Sequence, residues 1–189
     1  FFTLRGDFRR YYRIKREFTL AVRLAGGASF GANPQRFHLG GVQNWLNDGF
    51  RGSPLVDEPE LIYFSSFELP LRGADYYERS GNRFFMSNVE FRFPMVRTFE
   101  IAWPWRIRIS QIRGALFSDV GTAWFRNNGK ELFHPFRHAT SGLLPKLDDL
   151  VMSYGIGARA TLGFLILKLD TAWRTNLHKF EKPRYYLSL

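Results

Sequence analysis

The strongest constraint on this chain is a period-two alternation of apolar and polar side chains, repeated over stretches long enough to cross a lipid bilayer. From Phe1 to Ile14, Phe2, Leu4, Phe8 and Tyr12 share one face, and Thr3, Arg5, Asp7, Arg9 and Arg13 share the other. The next run sets Phe18, Leu20, Val22 and Leu24 against Glu17, Thr19, Ala21, Arg23 and Ala25. A period of two places such sets on opposite sides of an extended strand, so the chain reads as all-β with two unlike faces.

Five more runs follow. Phe85, Val89, Phe91 and Phe93 oppose Asn88, Glu90 and Arg92; Ile112, Leu116, Val120 and Trp124 oppose Arg113, Phe117, Asp119 and Gly121. Met152 to Leu162 places Tyr154, Ile156 and Ala158 against Ser153, Gly155, Gly157 and Arg159. Leu165, Leu167, Leu169 and Trp173 then oppose Lys168, Asp170 and Arg174, and Tyr185, Leu187 and Leu189 oppose Arg184, Tyr186 and Ser188. Arg106-Ile107-Arg108-Ile109 falls on the reverse phase, which predicts a bulge near Ser110 or a strand that begins later.

The connections are Ile14-Lys15-Arg16, about 28 to 83, 95 to 105, 126 to 150, Gly163-Phe164 and 175 to 183. Apart from 95 to 105, short and long alternate. Transmembrane barrels combine short turns on one side with long loops on the other, so the pattern assigns sides of a membrane. A soluble antiparallel sandwich alternates in the same way. Several runs, however, exceed the roughly 5 to 6 residues usual in soluble sheets and approach the roughly 9 to 11 that cross a bilayer at a tilt. Trp103, Trp105, Trp124, Trp173, Tyr185 and Tyr186, at strand ends, suit interfacial girdles.

Composition agrees. Aromatic residues make up 17% of the chain although mean hydropathy is only −0.25, as expected where each strand is apolar on one side only. No run of 18 or more uncharged apolar residues marks a membrane helix. The net charge of +10, from 27 Lys and Arg against 17 Asp and Glu, invites a nucleic-acid reading. Most arginines instead alternate singly with apolar residues, which describes one face of many strands and argues against that partner. Cysteine is absent, which excludes disulfides and Cys-ligated metals. The chain opens on Phe1-Phe2-Thr3-Leu4, inside a strand, and seven strands is an odd number where single-chain bacterial barrels close on an even one, so further upstream strands are expected.

Four ordered motifs carry a resemblance: Phe37-His38-Leu39-Gly40-Gly41; Leu71-Arg72-Gly73 with Tyr76-Tyr77; Asn88-Val89-Glu90-Phe91-Arg92-Phe93-Pro94; and Phe117-Ser118-Asp119-Val120-Gly121-Thr122-Ala123-Trp124. Tyr154-Gly155-Ile156-Gly157-Ala158, Leu169-Asp170-Thr171-Ala172 and Lys182-Pro183-Arg184-Tyr185-Tyr186-Leu187-Ser188-Leu189 continue it. Together they resemble the C-terminal half of the BamA/TamA (bacterial surface antigen) superfamily of outer-membrane proteins.

The resemblance implies the last seven strands of a sixteen-stranded transmembrane antiparallel β-barrel, residues 1–189 all belonging to that domain. It implies that 28 to 83 is an external loop folded into the lumen as a lid, and that Arg72 and Gly73 form its tip, with Arg72 paired to Glu90 and Asp119. Leu39, Gly40 and Gly41 are the lid motif. Arg184, Tyr185, Tyr186, Leu187, Ser188 and Leu189 form one side of a lateral seam at which a client strand adds. Read from the residues alone, Glu90 and Asp119 are two of many lumen-facing charges.

The sequence departs from the family pattern in three places: Ala74 follows Arg-Gly where an aromatic is usual, with Tyr76 or Tyr77 as its substitute; the lid is long, and its Phe50-Arg51-Gly52 offers a rival tip to Arg72; and the sequence stops at Leu189 without the family's terminal aromatic, so a few further C-terminal residues are expected. The lid and the Lys-Pro-Arg-Tyr-Tyr end look most like a branch with an upstream TolB-like propeller in place of periplasmic POTRA domains.

Chemistry of other kinds is not legible. His38, His134, His138 and His178 all fall in expected loops, and the spacing of His134 and His138 lies beside Pro135 and Gly142, which favours irregular structure over a metal helix. Asp148-Asp149 reads as a solvated loop. No nucleophile elbow, phosphate loop or paired acids stand in an enzyme-like context, so no catalytic residue, metal or cofactor is expected. The expected function is assistance with insertion or translocation of outer-membrane or surface proteins, without nucleotide. The expected partners are outer-membrane lipids and lipopolysaccharide, client proteins, or subunits of a membrane complex. The alternative is a structural scaffold barrel that anchors a surface or periplasmic complex.

Overall fold

The computed structural model describes residues 1–42, 65–68, 70–101, 107–127, 129–137, 145–162 and 165–188. In chain order the strands are β1 (Phe2–Lys15), β2 (Phe18–Phe30), β3 (Arg36–Leu39), β4 (Ser65–Glu68), β5 (Arg79–Gly81), β6 (Arg83–Ile101) and β7 (Ile107–Trp124). They continue with β8 (Arg126–Asn127), β9 (Lys130–Glu131), β10 (Phe136–Arg137), β11 (Lys146–Leu147), β12 (Val151–Leu162), β13 (Leu165–Thr175) and β14 (Arg184–Ser188). The long strands form one seven-stranded antiparallel sheet in the order β1-β2-β6-β7-β12-β13-β14. Each connection joins sequence-adjacent long strands, as an up-and-down meander requires.

The connection expected at 95 to 105 shortens to 102–106, because β6 runs on to Ile101 and pairs down to Ile101↔Ile107. Short and long connections therefore alternate throughout. The break in phase arises from two bulges. Met95 is extra on β6, between the pairs Pro94↔Arg113 and Val96↔Ile112, and β7 carries an extra residue between Arg113 and Ser110 relative to β12. Proline has no N–H to give to a ladder and is tolerated at such a point. Of the two readings of the phase break, the bulge near Ser110 holds and the later start does not, since β7 begins at Ile107.

Register aligns the polar faces into rows. One row runs Arg9, Arg23, Asn88, Asp119, Ser153, Arg174; the next contains Glu90, Phe117, Gly155, Ala172 and Arg184. The opposite face keeps Phe8, Leu116, Ile156 and Leu169 about half exposed, while Asp119 and Ser153 on the polar face are fully buried. Exposed apolar side chains outside and buried polar ones inside invert the arrangement of a soluble sandwich.

What buries the polar face is the connection between β2 and β6. Its three short strands form a sheet in the order β4-β3-β5, with β3 parallel to β4 and antiparallel to β5. Phe37, Leu39, Leu71 and Ala74 of this lid pack with Ala25, Phe84, Met86, Ala123 and Val151 of the wall. The lid touches both ends of the large sheet, through Arg5–Glu68 at 2.8 Å on β1 and Arg184–Asp75 at 2.5 Å on β14. The sheet thus curves around it. His38 corrects the loop assignment: it lies within β3, fully buried, with Nδ1 2.7 Å from Ser80 Oγ and Nε2 3.1 Å from Ser65 Oγ.

Candidate functional site: the lid tip against the inner wall

The Leu39-Gly40-Gly41 motif aims the lid tip. Leu39 is fully buried, and Gly40 and Gly41 leave β3 with positive φ. Gly41 then exchanges two backbone hydrogen bonds with Leu71, of 3.1 and 3.0 Å. Tyr76 crosses Gly41 and donates its hydroxyl to the Val42 carbonyl. Leu71 being held this way, the next residue, Arg72, projects towards β7.

Arg72 meets Asp119 with the side-on edge of its guanidinium. Nε lies 2.6 Å from Oδ2 and Nη2 lies 2.9 Å from Oδ1. The Arg72 backbone N–H also donates to Oδ2, at 3.2 Å. Nη1 donates to Glu90 at 3.1 Å and approaches Asp170 to 3.6 Å. Such a planar fork grips one carboxylate through two parallel N–H groups while a third N–H reaches a second carboxylate, a fixed geometry that a lysine ammonium cannot reproduce. The guanidinium also lies over the Phe117 ring, 3.4 Å from its centroid, in a cation–π contact.

Neighbouring cations complete the cluster. Arg159 reaches Asp170 at 2.5 and 3.2 Å, and Arg92 reaches Glu90 at 2.7 Å. Three cations (Arg72, Arg92, Arg159) thus face three anions (Glu90, Asp119, Asp170). Such balance offsets the desolvation cost of burying charge, because each buried ion keeps a hydrogen-bonded opposite charge. For Arg72, burial alone would lower the pKa; its hydrogen bonds to Asp119 and the charges of Asp119, Asp170 and Glu90 outweigh that, and the guanidinium is held above its ordinary value.

Small residues on β12 make the room. A Cβ on Gly155 would strike the Phe117 ring that supports Arg72, and one on Gly157 would strike Asp170 and Arg159. Gly73 has φ of 81°, a left-handed conformation that glycine adopts without strain, and a Cβ there would meet Ser153 Cβ at 2.7 Å. Ser153 in turn donates its hydroxyl to the Arg72 carbonyl.

The tip also touches the last strand. The Gly73 N–H donates to Tyr186 Oη at 2.9 Å. Arg184 binds Asp75 at 2.5 and 3.2 Å, and Arg174 binds Glu78 at 2.8 Å. Tyr186 is 5% exposed and turned inward, which corrects its assignment to an interfacial girdle. Tyr185, 58% exposed, keeps the outward position.

Of the sequence-predicted residues, Arg72, Gly73, Glu90 and Asp119 come together, and Arg184 and Tyr186 join them. Tyr185 and Leu187 face away, and Ser188 lies lower on the inner face beside Lys168. Arg51, Trp45, Trp103, Trp105, His138, Gly163-Phe164 and Leu189 lie outside the described residues. Asp170, Arg159 and Phe117 were missed as partners of Arg72. The alternation had already placed all three on the polar face; what it lacked was the register that brings Asp170 beside the Glu90 row.

Residues 1–186 match the model of the Omp85 superfamily domain. The chain belongs to the Omp85 superfamily. No curated protein and no solved structure matched it. Omp85 proteins are outer-membrane β-barrels of protein insertion and transport, and the antiparallel seven-stranded sheet of this chain is consistent with part of such a barrel.

Proposed function

We propose that this Omp85 segment belongs to a barrel that assists insertion or translocation of outer-membrane proteins, and that its lid is the element that holds the seam strand in place. The observation that carries the reading is the double attachment of the lid tip: Arg72 to Asp119 and Glu90 on the wall, Gly73 and Asp75 to Tyr186 and Arg184 on β14. β14 pairs with β13 over five residues, and among the described residues no strand pairs with its other edge.

Backbone groups on such an edge recruit a further strand. In this reading β14 is the template, Arg184 to Leu189 form one side of the seam, and the lid fixes its height and register while a client strand adds. Clients are outer-membrane proteins, and no nucleotide or cofactor takes part. The exposed apolar face meets outer-membrane lipid, and the long connections, including 126–150, face outward.

Reconstituting the full-length protein with an unfolded barrel client tests this. Folding of the client is expected to accelerate, and a cysteine at Leu187 is expected to crosslink to the client's terminal strand while folding is in progress. A protein that accelerates no client, or a crosslink that never forms, would reject the proposal.

A further inference from the structure

At the rim of the sheet carrying the long connections lies a pocket lined by Phe30, Arg83, Phe125, Arg126 and Leu132, together with the buried Ser29 and Asn82. We infer that this pocket binds the phosphate of a phosphorylated glycolipid headgroup in the external leaflet. The inference rests on the reading above for which side is external.

The residues have the chemistry for it. Arg83 and Trp124 are a cross-strand pair on the lipid-facing phase. Arg83, which lines the pocket, and Trp124, its cross-strand neighbour, each carry a buried donor, Nε and Nε1, without an acceptor among the described residues. Buried donors are nearly always paired, and each exception points to a missing partner. Glu131 takes Nη1 of Arg83, at 3.3 Å, so Nε, one arm of the edge that grips two oxygens of a phosphate, has no acceptor among the described residues.

Glu131 also shows where an anion is accepted. Its carboxylate, 45% exposed, lies between Arg83 at 3.3 Å and Arg126 at 3.8 Å. One exposed carboxylate opposite two guanidiniums leaves a net positive charge.

The surroundings select a lipid over a soluble anion. Arg83 lies over the Phe30 ring at 5.2 Å, Trp124 stacks on Phe133 at 4.9 Å, and Phe30, Phe125 and Leu132 are 44%, 38% and 61% exposed. Aromatic rings at the height where strands leave the bilayer, with arginine among them, match a headgroup above acyl chains.

The test uses the full-length protein in detergent, with native mass spectrometry counting bound bis-phosphorylated lipid A, its dephosphorylated counterpart, or inorganic phosphate. The double variant Arg83→Gln with Arg126→Gln is expected to lose about tenfold in affinity for the phosphorylated lipid, the scale of a lost bidentate contact. The dephosphorylated lipid is expected to bind both proteins alike. Glu131→Gln, which removes the competing carboxylate, is expected to bind roughly threefold more tightly, so the proposal stays testable even if the double variant folds poorly. Equal affinity in all three proteins would overturn it, as would inorganic phosphate binding this arginine pair as strongly as the lipid does. Client folding in vesicles without glycolipid is expected to be unchanged in the double variant, which separates failure of this site from failure of the insertion reading.

Discussion

The lid is held by two regions of the same inner surface that work on different physics. Towards the long connections, Phe37, Leu39 and Leu71 pack on Phe84, Met86 and Val151, an apolar contact. One residue further on, Arg72 enters a surface of carboxylates and guanidiniums where every contact is directional. Apolar burial is proportional to area and tolerant of small shifts. A buried charge cluster instead specifies a position, because moving one member strands the others. The first region supplies adhesion and the second supplies register.

Substitutions can break that contrast. Arg72→Ala leaves Asp119 buried without its cation, and a loss of about 3–5 kcal/mol is expected, measured by thermal or denaturant unfolding of the full-length protein in detergent; Arg72→Lys should recover only part of it. If Arg72→Lys matches the wild type, the fork geometry is irrelevant and the cluster is mere charge balance. Leu39→Ala is expected to cost about 2–4 kcal/mol through the cavity it leaves, with no change in salt dependence. A salt-dependent loss there would erase the distinction between the two regions.

Smaller effects sharpen it. Tyr186→Phe removes the acceptor of a buried N–H, a cost of about 1–3 kcal/mol. Because that bond joins the tip to β14, hydrogen exchange is expected to rise at Gly73 while the Leu71 amide stays protected. Exchange rising equally at both would mean the tip and its apolar base open as one unit.

The smallest effect expected is at Glu68. Burial raises its pKa above the ordinary value, only partly opposed by Arg5 and the Ser66 hydroxyl. A carboxyl whose folded pKa is raised contributes stability that is fully present below the ordinary carboxylate pKa and is lost as pH rises through the folded value. Protease resistance of the lid should therefore fall slightly over that window, and Glu68→Gln should flatten the profile. An unchanged slope would show that the Arg5–Glu68 pair governs its ionisation.

Much of this organisation is legible before any fold is known. Which side each of Phe85, Val89, Asn88 and Glu90 occupies follows from counting by two, and the long gap before Phe84 announces a long connection, which only the family resemblance reads as a lid. At Arg106 to Ile109 counting leaves a bulge and a later start both open, and only the register chooses the bulge, between Ser110 and Arg113. It mislays His38, since a four-residue strand in a loop is too short for periodicity; Tyr186 it puts on the polar face, and only the reading of that ring as part of an interfacial girdle is wrong, since a tyrosine near a strand end suits either an interface or a hydrogen bond inside.

The two faces of the long strands and the polarity of the inner one were determined by sequence alone, because alternation is a local property of an extended backbone; where β6 ends was not, since its pairing with β7 runs on past the bulge at Met95. Only tertiary structure decided that Asp170 and Arg159 join Glu90 and Asp119 around Arg72, and that Tyr186 receives Gly73. Those contacts join residues as far as 113 positions apart, and distances of that kind are set by inter-strand register and by the path of the lid, neither of which any local pattern encodes.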